Sequence, residues 1–296
     1  MADSGGPTGG DTTSGQAANE IAQAQRIVFR ADTATGETVV RRFRDPYPRA
    51  AVSRSLGVDE LLASAAVDPP PPDELDFLFL PSGSASPIEL QRSTEAWMND
   101  PALSAVHPAI DLVLQSDRVL WRPGRAVVLG AGRRLPDLLA GLIDFSFYEG
   151  ELRRLEQELE AEWSVAEADV PLTHGVDQAA LARREHVDQM TRRTALRRIR
   201  LARLAPHLEK APATLPGPAR RLSAELALQA EVVERLKYVD ERLEVFEDLY
   251  ELANDRLSEF AYFRQEYRLE VWIVVLLVVE ALLILGEMGI AWYLAE

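Results

Sequence analysis

The sequence has no cysteine, and lysine occurs only as Lys210 and Lys237. Without thiols there is no disulfide framework, no thiolate metal site and no cysteine nucleophile. The basic charge is therefore almost all arginine; with the abundant alanine, this points to a high-GC bacterial source. No apolar segment opens the chain, so no signal peptide is expected. The net charge of −15 argues against a general nucleic-acid binder. No Gly-Lys-Ser/Thr ending follows Ser82-Gly83-Ser84, so that segment reads as a plain loop. None of His107, His174, His186 and His207 has the spacing of a metal motif. No cofactor and no metal are expected.

What is present is organised around the C-terminus. Twelve of the fifteen residues in 271–285 are Val, Ile or Leu, with one charge, Glu280. The run continues past Gly286, Glu287 and Gly289. Trp272 stands at one end and Trp292 at the other, about 30 Å apart at helical rise. The twelve aliphatic residues favour insertion by about 4 to 7 kcal/mol, against roughly 3 for one carboxylate. Residues 271–294 thus read as one C-terminal transmembrane anchor. Arg264 and Arg268 precede it and no basic residue follows. The bulk of the chain is then cytoplasmic, the C-terminus outside, and the location a bacterial plasma membrane. Glu280 and Glu287 share a helix face, expected to pack within an oligomer beside Gly286 and Gly289.

The remainder reads as α+β followed by helices. Residues 1–24, rich in Gly, Ser and Thr, are expected to be disordered. Residues 25–134 read as a small α+β domain. It holds a hairpin over 27–44, a helix over 53–66, a proline spacer at 69–72, and a strand over 75–80. A helix opened by Ser86-Pro87 and a hairpin across Arg122-Pro123-Gly124 complete it. Residues 135–218 read as a hairpin of two long helices, the second starting at the Asp177 cap. Residues 219–270 read as an unbroken coiled-coil stalk. Leu236, Val239, Leu243, Phe246, Tyr250, Leu257 and Phe260 keep a seven-residue repeat, the expected seam of a homo-oligomer.

Two stretches invite chemistry. Gly130 and Gly132 end a strand and begin a fragment of a dinucleotide fingerprint, but Leu135 stands where the third glycine belongs. A strand-to-helix turn explains them more simply. Between Arg183 and Arg203 lie eight arginines, among them Arg192, Arg193, Arg197 and Arg198. They offer a basic face for RNA, a ribosome or anionic lipid. The competing expectation is pairing with the acidic preceding helix, which carries Glu151, Glu156, Glu158, Glu160 and Glu162.

Arg242-Leu243-Glu244-Val245, the run 249–257, Arg268-Leu269-Glu270 and then Glu280 resemble the C-terminal signature of the domain of unknown function 155 family. This is the family of the "required for meiotic nuclear division" proteins. Asp255 matches its Leu-Asn-Asp segment, Ala253-Asn254 standing for Leu-Asn; Trp272 is displaced by one position. The helix over 138–159, with Ser146 and Glu149, is similar to the family's first long helix. The resemblance implies a membrane-anchored, non-enzymatic, oligomeric protein, linked in eukaryotic members to translation of membrane proteins at the mitochondrial inner membrane. The expected function is a scaffold or tether. The alternatives are a membrane-associated RNA or ribosome-binding factor using 183–203, and an enzyme with a site in 25–134.

Overall fold

The computed structural model describes residues 21–64, 71–82, 88–101 and 108–295, with side chains described as far as residue 283. Several expectations lie wholly or partly outside those residues. They are the tail over 1–20, Pro69 and Pro70, Gly83 and Ser84, the Ser86-Pro87 helix start, His107, and the side chains of Glu287 and Trp292.

The N-terminal part is α+β. Its seven strands are β1 (Gln23–Arg30), β2 (Thr38–Phe43), β3 (Arg49–Leu56), β4 (Glu74–Pro81), β5 (Ile110–Leu114), β6 (Asp117–Arg122) and β7 (Arg125–Gly130). They form one sheet in the order β2-β3-β1-β4-β7-β6-β5. Every pairing is antiparallel except β4 with β7. β4, at the centre, is buried on both faces, which is why its sequence is a continuous apolar run rather than an alternating one.

Alternation along β4 divides the core. Leu78 and Leu80 pack with Leu61 of α1 (Val58–Leu62) and with Trp97 and Met98 of α2 (Ile88–Met98). The opposite face meets α3 (Leu135–Asp169). Phe29 and Phe147 lie 5.3 Å apart between ring centroids, Trp121 and Phe145 4.9 Å. Trp121 Nε1 donates to Ser146 Oγ at 2.9 Å. Two buried arginines close the end of α2: Arg122 Nη1 donates to the Met98 carbonyl and Arg125 Nη1 to the Trp97 carbonyl. Carbonyls at a helix C-terminus lack intrahelical donors, so these cations occupy places a capping glycine or water otherwise fills.

Three local expectations are corrected here. β1 does not form a hairpin with β2, because β3 lies between them. Residues 53–56 end strand β3, and only 58–62 are helical. The second long helix, α4, runs Arg184–Glu209; Asp177 instead accepts the Ala180 amide in a short 3-10 turn before it.

The helices after the sheet are α3, α4, α5 (Gly217–Gln229) and α6 (Val232–Ala295). The expected unbroken stalk is interrupted: α5 ends at Gln229, and Glu231 adopts a φ of 51°. A left-handed residue without glycine costs about 1–2 kcal/mol, and no Gly or Pro marks the site in sequence. The chain forms two compact units, one of Met1–Glu158 with Arg198–Asp240, the other of Leu159–Arg197 with Glu241–Glu296. In the second unit Phe246 meets Trp163 of α3 edge-on at 5.6 Å, and Tyr250 donates its hydroxyl to buried Asp169 at 3.1 Å. Leu236, Val239, Leu243, Phe246, Tyr250 and Leu257 are all buried within the single chain, and Phe260 is half-buried. The heptad stripe is therefore core of the chain itself.

The C-terminal transmembrane helix is not supported. Among the described residues, no helix is long and apolar enough to cross a membrane. Charges divide α6: between Glu270 and Glu280 only nine apolar residues are uninterrupted. At helical rise those nine cover about 14 Å, less than half of a ~30 Å hydrocarbon core. The tail-anchored reading falls with it.

Candidate functional site

Several polar groups inside the first unit pair across elements. On α3, Glu149 and Glu156 lie seven residues, two turns, apart along one side. Arg235 of α6 binds both: Nε and Nη2 contact Glu156, each at 2.8 Å, and Nη1 contacts Glu149 at 3.1 Å. Burial alone lowers an arginine's pKa, but these carboxylates more than offset it and hold Arg235 above its usual value. Arg200 of α4 contacts Glu158 at 2.7 Å and Glu151 at 2.9 Å. The Tyr47 hydroxyl donates a hydrogen bond to Glu151 and accepts one from Arg154 at 2.7 Å. Burial and that carboxylate raise the Tyr47 pKa, so the hydroxyl stays protonated.

One buried acid is left less well served. Asp144 is 1% exposed, and burial pushes its pKa up to about 6. Arg41 Nη2 approaches its Oδ1 to 2.5 Å but out of hydrogen-bond alignment, so the pair is a charge contact only. His207 stacks flat on Tyr148, centroids 4.4 Å apart, and its Nε2 lies 3.6 Å from Asp45. In the second unit Asp169, fully buried, accepts from His186 at 2.7 Å and from Tyr250, and pairs with Arg183. No serine, threonine or lysine stands between an acid and a base in either cluster. Among the described residues, no group of three or more acids and histidines is arranged to hold a metal ion. Such arrangements tie α3, α4 and α6 together.

The two glycines of the fingerprint fragment have structural explanations. A Cβ on Gly130 would stand 2.0 Å from Asp117 Oδ1. Gly130 thus leaves room for the carboxylate that pairs with Arg134 at 2.6 Å. Gly132 takes a φ of 74°, turning the chain from β7 into α3.

The basic face is partly spent on the acidic helix. Arg197 contacts Glu162 at 2.6 Å and Arg193 contacts it at 3.3 Å. Arg197 is buried, and Arg198 pairs with Asp240. Arg192 is exposed. The four arginines expected to form one basic face therefore point into different environments.

What remains uncovered is apolar. From Leu269 to Leu283 along α6, side chains are exposed on every side of the helix. Arg268, Glu270, Trp272 and Glu280 are exposed there as well. Sequence reasoning located this segment by its aliphatic density. It could not have shown where the covering of α6 by its own chain stops.

No protein-family model matches the chain, and no curated protein sequence matches it. Two solved structures show a distant similarity. Full-length CmaX is 14% identical, covering 74% of this chain and 77% of that one, with a TM-score of 0.33. The CorA magnesium transporter from Methanocaldococcus jannaschii is 10% identical, covering 86% of this chain and 82% of that one, also at 0.33. At such scores the likeness carries no conclusion about this chain's fold or activity.

Proposed function

We propose that the chain is a non-enzymatic scaffold whose copies associate along the C-terminal part of α6. The observation that carries this reading is the apolar surface over 271–283, exposed all round the helix. Its area is on the order of 1,000 Å², above the few hundred that a monomer ordinarily exposes in one patch and comparable with one side of a standard interface. A helix apolar on all sides needs cover on all sides, which neighbouring copies supply. The flanking residues suit a second copy: Arg264, Glu266, Arg268 and Glu270 present two charges of each sign, so the belt complements itself. The resemblance to the domain of unknown function 155 family agrees with a non-catalytic, oligomeric role.

The test is mass measurement on the full chain in dilute aqueous buffer, beside the variant Leu276→Glu. Oligomers are expected for the native chain, with dissociation toward monomer in the variant. A native chain that stays monomeric, or that is monomeric in buffer and floats with phosphatidylcholine vesicles, overturns the proposal.

A further inference from the structure

A second surface, far along the sequence from 271–283, is also uncovered. The outward side of α5 and the start of α6 lines a groove of about 900 Å³ in the first unit, with Tyr148 and His207 also on its wall. Charge changes sign along it. Arg220 and Arg221 stand at one end, Ala224, Ala227 and Leu228 in the middle, Glu231 and Glu234 at the other. Leu228 is 74% exposed and Val233 61%. Arg220, Arg221, Glu231 and Glu234 have no ion pair or side-chain hydrogen bond among the described residues. The next residue, Arg235, has two carboxylate partners. Glu209 and Lys210, adjacent and opposite in charge, also line the groove and leave that gradient unaltered.

We propose that this stripe pairs antiparallel with the same stripe of a second copy, about a two-fold axis near Ala227. On that axis Arg220 of one copy faces Glu234 of the other, and Arg221 lies within a turn of Glu231. A parallel pairing would put like charges together. An isologous interface requires a patch that complements itself, and a stripe positive at one end, negative at the other and apolar between does so only in the antiparallel sense. Ala224 and Ala227 at the centre let the helix axes approach to about 8 Å. Leu228 and Val233 are then covered by their counterparts. On the other side of α5 the close approach is already made: a Cβ on Gly141 would meet the Ala219 carbonyl at 2.8 Å. The stripe spans roughly 20 Å, at the low end for a specific interface, so the pairing is weak and sensitive to salt.

The absence of native cysteine makes the test direct. The full chain carrying Ala227→Cys is oxidised at low concentration and low salt, beside Ala34→Cys on the exposed loop after β1. A disulfide needs Cα atoms within about 7 Å, so rapid dimer formation at 227 and not at 34 is expected. Adding Arg220→Glu and Arg221→Glu should slow cross-linking at 227 at least tenfold. Adding Glu231→Arg and Glu234→Arg to those should restore it, which separates pairing from misfolding. Cross-linking at 227 no faster than at 34, or unchanged by the first reversal, or not rescued by the second, overturns the proposal. Leu276→Glu in the Ala227→Cys background keeps the two surfaces apart: it should lower the oligomer mass and leave the 227 cross-link intact.

Discussion

Two stretches of α6 both carry apolar residues and have opposite fates: seven of 22 residues over 236–257 are Val, Ile or Leu, and eight of nine over 271–279. Over 236–257 the buried apolar residues, at 236, 239, 243, 246, 250, 253 and 257, recur at alternating steps of three and four. Over 271–279 they occupy every position and none is buried. Periodicity separates them as well as apolar density. A stripe one face wide can be covered by one or two neighbouring helices, and α3 provides Trp163 and Asp169 for the purpose. A helix apolar all round cannot be covered from one side. The first stretch serves folding; the second is left uncovered.

The largest effect expected from testing this contrast is in the buried stretch. Phe246→Ala should cost about 3–5 kcal/mol in chemical denaturation, the range for deleting a fully buried aromatic side chain. A loss below 1 kcal/mol would mean that Trp163 and Phe246 do not pack as described. Next comes a control from outside the stretch, where burial acts on a charge. The folded pKa of Asp144, about 6, lies above its unfolded value of 3.8. Its contribution is then fully present below about pH 4 and disappears as pH rises through 6. That amounts to about 3 kcal/mol at 1.36 kcal/mol per unit. Asp144→Asn should flatten the stability profile between pH 4 and 6, read from urea midpoints; an unchanged slope would remove the assignment. A smaller effect belongs to Tyr250→Phe, which deletes the hydroxyl donated to buried Asp169 and should cost about 2 kcal/mol. The smallest sharpens the contrast most: Leu276→Ala should change stability by less than about 0.5 kcal/mol while weakening association. A cost like that of Phe246→Ala would show that 271–279 is core after all.

Elements were more legible than their partners. β4, β6 and β7 stand where alternating or continuous apolar runs put them, and α3 begins at the expected Leu135. The order of strands was not readable, because β3, a run of Ala, Val and Ser, gave no sign that it would insert beside β1. The heptad stripe was visible residue by residue, yet a repeat says that one face is apolar and not whose surface covers it. The same limit applies to the arginines. Arg197, buried on Glu162, and Arg122 and Arg125, capping α2, differ from an exposed arginine only in tertiary surroundings. The transmembrane reading failed on counting. Averaged over 24 residues the apolar content suffices, but Glu270 and Glu280 bound a run of nine.

The break at Glu231 carries a consequence for how α6 is read. Before it, buried positions fall at 219, 222, 223 and 226; after it, at 232, 236, 239 and 243. An uninterrupted helix would have carried the first series on to 229 and 230, both outside the buried set. The single left-handed residue shifts the phase, so α5 and α6 each choose their inward side independently. The inward side of the first turns of α6, from Val232 to Val239, is thus set at residue 231 and not inherited from α5.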